Sequence, residues 1–184
     1  MIYRIENDFE NCYSFLPDGS DLLLKMPSYS QRFRAKPRLE HWVAPIASYY
    51  ASENYAGQGE QLPDVTTWAI GNIVLSPKAY EVFKDLLAPS GEFLPVHVGI
   101  DTYYIFNTLY VIPEEGIDRS HAVEAVDAGV HTGQERVLFR ESVLSDHHVF
   151  KSPTNKLSYS FVTEAFKRLY VENSFSGLVF RGVK

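Results

Sequence analysis

Apolar residues recur with helical spacing in two segments of the chain. The first begins at Ser76-Pro77, an N-cap residue followed by a proline at the first helical position, where the missing N–H costs nothing. It ends before Pro89. The second is predicted to begin near Ser160 and to end by Asn173. The apolar faces are Ala79, Val82, Phe83 and Leu86 in the first segment, and Val162, Ala165, Phe166, Leu169 and Tyr170 in the second. Both patterns predict amphipathic helices.

The region between these helices has the pattern of β-strands. Residues 92–98 and 102–112 are rich in β-branched and aromatic side chains, and residues 99–101 form the turn between them. Apolar residues occupy both faces of the second segment, which indicates a central strand covered on two sides. Shorter strands are predicted at residues 137–139, 149–150 and 178–180.

The N-terminal third has a weaker pattern, with a strand predicted at residues 1–5 and a helix near residues 42–52. Two glycines and a proline interrupt residues 56–63. We place a boundary there, between an N-terminal lobe (1–61) and a C-terminal lobe (62–184) that pack as one compact unit. Runs of strands followed by helices indicate an α+β fold, with an antiparallel or mixed sheet and a few amphipathic helices.

Charge along the chain is uneven and narrows the class of partner. The 184 residues carry a net charge of -6, and residues 61–130 contain 10 acidic but 3 basic residues. Because phosphate binding needs clustered lysine and arginine, this acidic middle argues against a nucleic-acid partner. It suits docking of a basic protein, since complementary charge accelerates encounter. A solvated acidic face that only maintains solubility remains the alternative.

Membrane insertion and secretion are not expected. No run of 18 apolar residues occurs, and the first residues lack the charged and apolar regions of a signal peptide. The single cysteine, Cys12, cannot form an internal disulfide, which suits a reducing compartment. We therefore expect a cytoplasmic protein.

Four cations alternate at Arg32, Arg34, Lys36 and Arg38. On an extended backbone they would share one face, where they could grip a nucleic-acid strand. A solvated edge strand, protected by its charges against aggregation, is the favoured interpretation.

Common catalytic motifs are absent, and the remaining candidates for chemistry are weak. His131, Asp146, His147 and His148, with Asp127 upstream, are residue types that bind zinc or iron. Adjacent histidines on an extended chain point to opposite faces, so a polar turn is favoured over a metal site. Cys12 has acidic neighbours that disfavour a thiolate nucleophile. A metal-dependent enzyme or small-ligand-binding protein using His131, Asp146 and His147 remains the alternative function.

An ordered set of short segments resembles a known family. Leu62-Pro63-Asp64, Ile73-Val74-Leu75-Ser76, Gly91-Glu92-Phe93-Leu94-Pro95-Val96, Tyr104-Ile105-Phe106-Asn107, Asp118-Arg119-Ser120 and Ser176-Gly177-Leu178-Val179-Phe180 follow in that order. Together they resemble the bacterial immunity-protein family eleven of polymorphic toxin systems. The resemblance implies a cytoplasmic bacterial protein that neutralises a cognate toxin, without catalysis and without a cofactor.

We expect the acidic middle to contact this toxin and to block it by occlusion. We also expect the toxin to be basic. The predicted contacts combine carboxylates with possible aromatic anchors: Asp101, Tyr103, Tyr104, Glu114, Glu115 and Asp118.

Overall fold

Strands dominate the computed structural model, which describes residues 1–28, 30, 32–51, 61–69, 71–127 and 129–183. The helices in this part of the chain are Gly19–Lys25 (α1), Pro77–Leu87 (α2) and Glu164–Glu172 (α3). The strands are Ile2–Asn7 (β1), Ser14–Pro17 (β2), Ile46–Tyr50 (β3), Val65–Trp68 (β4), Asn72–Leu75 (β5), Gly91–Val98 (β6), Asp101–Thr108 (β7), Ile117–Asp118 (β8), Val123–Asp127 (β9), Val130–Glu135 (β10), Leu138–Phe139 (β11), Val149–Lys151 (β12), Ser160–Thr163 (β13) and Leu178–Gly182 (β14). The predicted α+β class is confirmed.

A six-stranded mixed sheet has the order β2-β3-β6-β7-β5-β4, and its parallel pair is β3 with β6. The predicted hairpin is present, with Gly91 opposite Thr108 and Val98 opposite Asp101. Strand β7 lies between β6 and β5 and is buried on both faces, as predicted. It ends at Thr108 rather than at residue 112, because the N–H groups of Leu109 and Tyr110 turn to the carbonyl oxygen of Ser90.

A four-stranded antiparallel sheet has the order β12-β13-β1-β14. The first strand of the chain thus lies between two strands from its last quarter, while β2 and β3 extend the six-stranded sheet. Two further ribbons, β9 with β10 and β8 with β11, complete the described strands.

Three apolar cores lie on the faces of these two sheets. The central core contains α2 and α3 and includes Phe83 stacked on Phe166, with ring centroids 4.5 Å apart. A second core covers the other face of the six-stranded sheet around Phe33 and Trp68. The third covers the other face of the four-stranded sheet around Phe150. Alternation along single strands produces this layering, since successive side chains point to opposite faces.

The first predicted helix is confirmed, and its N-cap residue, Ser76, explains where it begins. The Oγ of Ser76 accepts a hydrogen bond from the N–H of Ala79 at 3.2 Å, and Pro77 begins α2. The predicted start of the second helix near residue 160 is wrong. Ser160–Thr163 forms β13 instead, with Phe161 and Val162 buried on opposite faces, and α3 begins at Glu164.

The helix predicted near residues 42–52 is also wrong. Ile46–Tyr50 is strand β3, in which Ala47 is buried while Ile46, Ser48 and Tyr50 are exposed. This alternation has the period of a strand. Ser52, at the end of this predicted helix, lies outside the described residues. So do residues 56–60 of the predicted lobe boundary.

The edge strand predicted for the alternating cations is wrong as well. Arg34 and Ala35 have φ of 50° and 53°, a left-handed conformation that no strand allows. The N–H of Lys36 donates to the carbonyl oxygen of Phe33, which closes a turn. Phe33 fills the second core, and Arg32 and Arg34 on either side of it are exposed. The guanidinium of Arg38 lies 5.0 Å from the centroid of the Phe33 ring.

Candidate functional site

The predicted acidic contacts occupy two places in the fold. Asp101 begins β7 at its turn with β6, whereas Glu114, Glu115 and Asp118 follow the opposite end of that strand. The eight residues of β7 separate these ends by roughly 23 Å, at about 3.3 Å per residue. The structure thus brings Glu114, Glu115 and Asp118 together in one exposed turn and leaves Asp101 apart from them.

Two arginines accompany this acidic turn. Arg119 makes two bonds to the carboxylate of Glu114, at 2.7 and 3.2 Å, and this pairing lowers the pKa of Glu114. Arg140 donates to the carbonyl oxygen of Glu115 at 3.3 Å. Asp118 accepts the N–H of Ser120 at 2.9 Å, which is the main cause of its lowered pKa. The neighbouring guanidinium groups reduce the negative potential around these carboxylates.

The two predicted tyrosine anchors differ in exposure. Tyr103 is 9% exposed and packs in the second core, 5.8 Å from the ring of Tyr49. Its burial raises its pKa. Tyr104 is half-buried and stacks on Tyr80 of α2, with centroids 3.8 Å apart. Tyr104 therefore has the more accessible ring of the two.

The histidines of the alternative metal site face different neighbours. His147 stacks on Tyr110 at 3.5 Å and its pKa is lowered by burial. His148 bonds the hydroxyl of Thr163 at 3.0 Å, and His131 pairs with Glu124 at 3.2 Å. In the part of the chain that the structure describes, no three His, Cys, Asp or Glu side chains are placed to hold a metal ion. Asp146 is exposed, and the side chain of Asp127 lies outside the described residues.

Cys12 is buried, with 3% of its surface exposed. Burial raises the pKa of its thiol, and the nearby carboxylate of Asp8 raises it further. A protonated, inaccessible thiol suits packing rather than nucleophilic attack.

A feature that the sequence did not predict is a groove beside strand β10. Two cavities of about 510 and 230 Å³ adjoin there and share Thr132 and Ser158 in their linings. We call them together the basic groove, because six cations line it. They are Arg4, Arg136 and Arg181 in the larger cavity, and Arg32, Arg34 and Lys156 in the smaller one.

The floor of this groove is the loop of residues 152–159, which two glycines hold in place. A Cβ on Gly133 of β10 would lie 2.3 Å from the carbonyl oxygen of Thr154, so only glycine lets the ribbon approach this closely. A Cβ on Gly71 would lie 2.8 Å from the carbonyl oxygen of Ser158. The loop is therefore clamped between the β9–β10 ribbon and the turn before β5.

Beneath this loop lies Lys151, which is 1% exposed. Its Nζ donates to the carbonyl oxygen of Leu157 at 3.2 Å. Burial lowers its pKa to about 8. The loop thus covers a lysine whose charged form is disfavoured by its surroundings.

The groove escaped sequence analysis because its cations come from distant segments. Arg4 belongs to β1, Arg32 and Arg34 to the turn around Phe33, and Arg181 to β14. The alternation at residues 32–38 was the one visible signal, and it predicted a different backbone.

None of the described helices has the length and apolar character needed to cross a membrane. Comparison with protein families matches residues 22–184 to the Immunity protein family (Imm11). Comparison with curated proteins finds no match.

Proposed function

Because this chain belongs to the Immunity protein family (Imm11), we propose that it binds a cognate bacterial toxin in the cytoplasm and neutralises it by occlusion. The observation that carries the proposal is the extent of the match. Residues 22–184 include strands of both main sheets, all of α2 and α3, and the loop beneath the groove. A match of this extent covers most of the fold, all but β1, β2 and the start of α1, rather than one isolated motif.

The packing of the molecule supports occlusion as the mode of action. Two sheets and three cores fix the backbone of most surface strands, so little conformational freedom is lost when a partner docks. Pre-formed surfaces of this kind bind with small backbone movements. Such a protein blocks a toxin by covering its surface, and the family assignment implies a role without catalysis.

The sequence-based hypothesis for the contact surface is the acidic turn facing a basic toxin. Its test is the triple variant Glu114→Lys, Glu115→Lys, Asp118→Lys. If the turn steers the toxin, association slows at low salt, because exposed charges act mainly on the rate of encounter. A matched control reverses Glu81, Asp85 and Glu172 on α2 and α3, which changes net charge equally. Equal association rates for the two triple variants would exclude this turn as the contact.

A growth assay tests the function itself. A candidate toxin domain, taken from any neighbouring gene of the same bacterium that encodes one, is induced in cells that do or do not express the chain. Protection with a stable complex of the two purified proteins is the expected result. Cell death at equal toxin levels, despite folded protein, would contradict the proposal. Purified toxin domain that keeps its activity while bound would contradict occlusion specifically.

A further inference from the structure

We propose that the basic groove docks an extended acidic segment of the toxin. This inference rests on the proposed function and adds the chemistry of the partner. It assigns to the toxin a stretch rich in aspartate or glutamate, which the groove holds beside strand β10.

The charge of the groove is opposite to that of the whole molecule. The net charge of the chain is -6, yet the groove is lined by six lysine or arginine side chains and one carboxylate, Glu135. A concave surface with one sign of charge concentrates its field and raises the local concentration of the opposite charge.

Several of these cations are not neutralised by the protein. Arg32, Arg34 and Arg136 have no ion pair or side-chain hydrogen bond within the described residues, and all three are exposed. Lys156 donates to a neutral group, the carbonyl oxygen of His131. The acidic turn differs from the groove in this respect, because Arg119 pairs directly with its Glu114.

The other two arginines share one carboxylate. Arg4 and Arg181 both bond Glu6, the latter from its Nε at 3.2 Å. Because one carboxylate cannot occupy all the N–H donors of two guanidinium groups, N–H donors remain for a second carboxylate. Arginine is suited to this role because its planar fork can bind carboxylates in bidentate geometry.

The shape of the groove suits an extended chain. Residues 130–132 of β10 line the smaller cavity, and residues 132, 134 and 135 line the larger one. The groove therefore follows the six residues of β10, a length of roughly 17 Å. An extended segment of about six residues has the same length. Tyr159, 44% exposed beneath the guanidinium of Arg4, adds an aromatic surface to the wall.

A protein segment fits this setting better than a nucleic acid. The groove holds six of the 17 basic residues, so the rest of the chain is negative overall, which disfavours a polyanion that continues beyond roughly six residues. A folded toxin can present a short acidic stretch and place other surfaces elsewhere. Nucleic-acid binding is therefore an outcome that the test must detect.

The test uses three fluorescein-labelled probes: hexaglutamate, hexaglutamine and the oligonucleotide (dT)6. Hexaglutamate is expected to bind the full chain, and to bind less tightly as NaCl rises from 50 to 500 mM. Hexaglutamine is expected not to bind. The variant Arg32→Glu, Arg34→Glu, Arg136→Glu should weaken hexaglutamate binding at least tenfold, because three attractive groups become repulsive. These side chains have no partners to lose among the residues that the structure describes, so the variant should fold.

A matched control, Lys78→Glu, Lys84→Glu, Arg168→Glu on α2 and α3, makes the same change in net charge. It should alter hexaglutamate binding less than threefold. Equal losses in the two triple variants would overturn the groove assignment. Tighter binding of (dT)6 than of hexaglutamate would overturn the acidic-protein assignment. A single Arg136→Gln variant keeps the test decisive if the triple variant does not fold.

The toxin domain then separates this inference from the proposed function. Loss of toxin binding and of protection in the groove variant, but not in the control, supports both. If the groove variant still binds the toxin and protects cells, the groove inference fails while the immunity function stands. If the wild-type chain gives no protection although it binds hexaglutamate, the proposed function and the toxin as occupant both fail.

Discussion

Replacing the buried lysine beneath the groove loop should make the protein's stability less dependent on pH. Lys151 is 1% exposed and burial lowers its pKa from 10.5 to about 8. In Lys151→Met the charge is removed while a flexible side chain of similar length fills the space. The variant also loses the hydrogen bond from Nζ to the carbonyl oxygen of Leu157.

The magnitude follows from the two pKa values. Their difference of about 2.5 corresponds to about 3 kcal/mol of unfavourable free energy in the folded state when Lys151 is protonated. Because the folded pKa lies below the unfolded one, this penalty is fully present below pH 8. It disappears as the pH rises towards 10.5, where the unfolded chain also loses its proton. Between pH 7.5 and 10 the wild type should gain about 2 kcal/mol relative to the variant.

The stability difference at one pH is less informative than this change with pH. At pH 7.5 the relief of about 3 kcal/mol is offset by the lost hydrogen bonding, about 1–3 kcal/mol, so the variant should be as stable as the wild type or slightly more stable.

The assay is urea unfolding at pH 7.5 and 10, followed by the fluorescence of Trp42 and Trp68. Lys36→Met, at an exposed position, controls for loss of a lysine. A stability difference between wild type and Lys151→Met that stays constant within about 0.5 kcal/mol across this pH range would refute the reasoning.

Four further substitutions test the packing and the local signals of the fold. Gly177→Ala should lower the free energy of unfolding by more than about 3 kcal/mol, since φ is 107° and the added Cβ would lie 2.2 Å from the carbonyl oxygen of Val65. Its control is Gly99→Ala, at φ 61° in open space, which should lower it by only about 1 kcal/mol. Phe83→Ala should cost about 3–5 kcal/mol because Phe83 is fully buried in the central core. Ser76→Ala should cost about 1 kcal/mol through loss of the α2 cap. Urea unfolding measures each one, and similar losses for Gly177→Ala and Gly99→Ala would contradict the close-approach argument.

The elements that the sequence predicted well are those specified by neighbouring residues. Helix α2 has its cap, its proline and its apolar face within twelve residues, so no distant contact is needed to identify it. The β6–β7 hairpin is similar, because its turn separates two strongly β-forming segments.

The elements predicted wrongly depend on distant partners. Val162 fits a helical face in the sequence, yet β1 pairs with Phe161 and Val162 as a strand, and the two side chains lie in opposite cores. Ile46–Tyr50 pairs with β2 and β6, strands that lie far from it in the sequence. Pairing across the sheet overrides local propensity in both segments.

Candidate contact surfaces are harder to predict from the sequence than the fold, because charge counted along the chain is not charge in space. Counting in blocks placed the acidic excess at residues 61–130 and suggested a basic partner. In the structure Arg140, from outside that block, bonds the turn at Glu115, while Arg119 pairs with Glu114 inside it. Cations separated by more than a hundred residues, such as Arg34 and Arg136, meet in one groove. Only the topology, which lays β10 beside the loop before β13, creates this surface, so the chemistry of the partner has to be inferred from the fold.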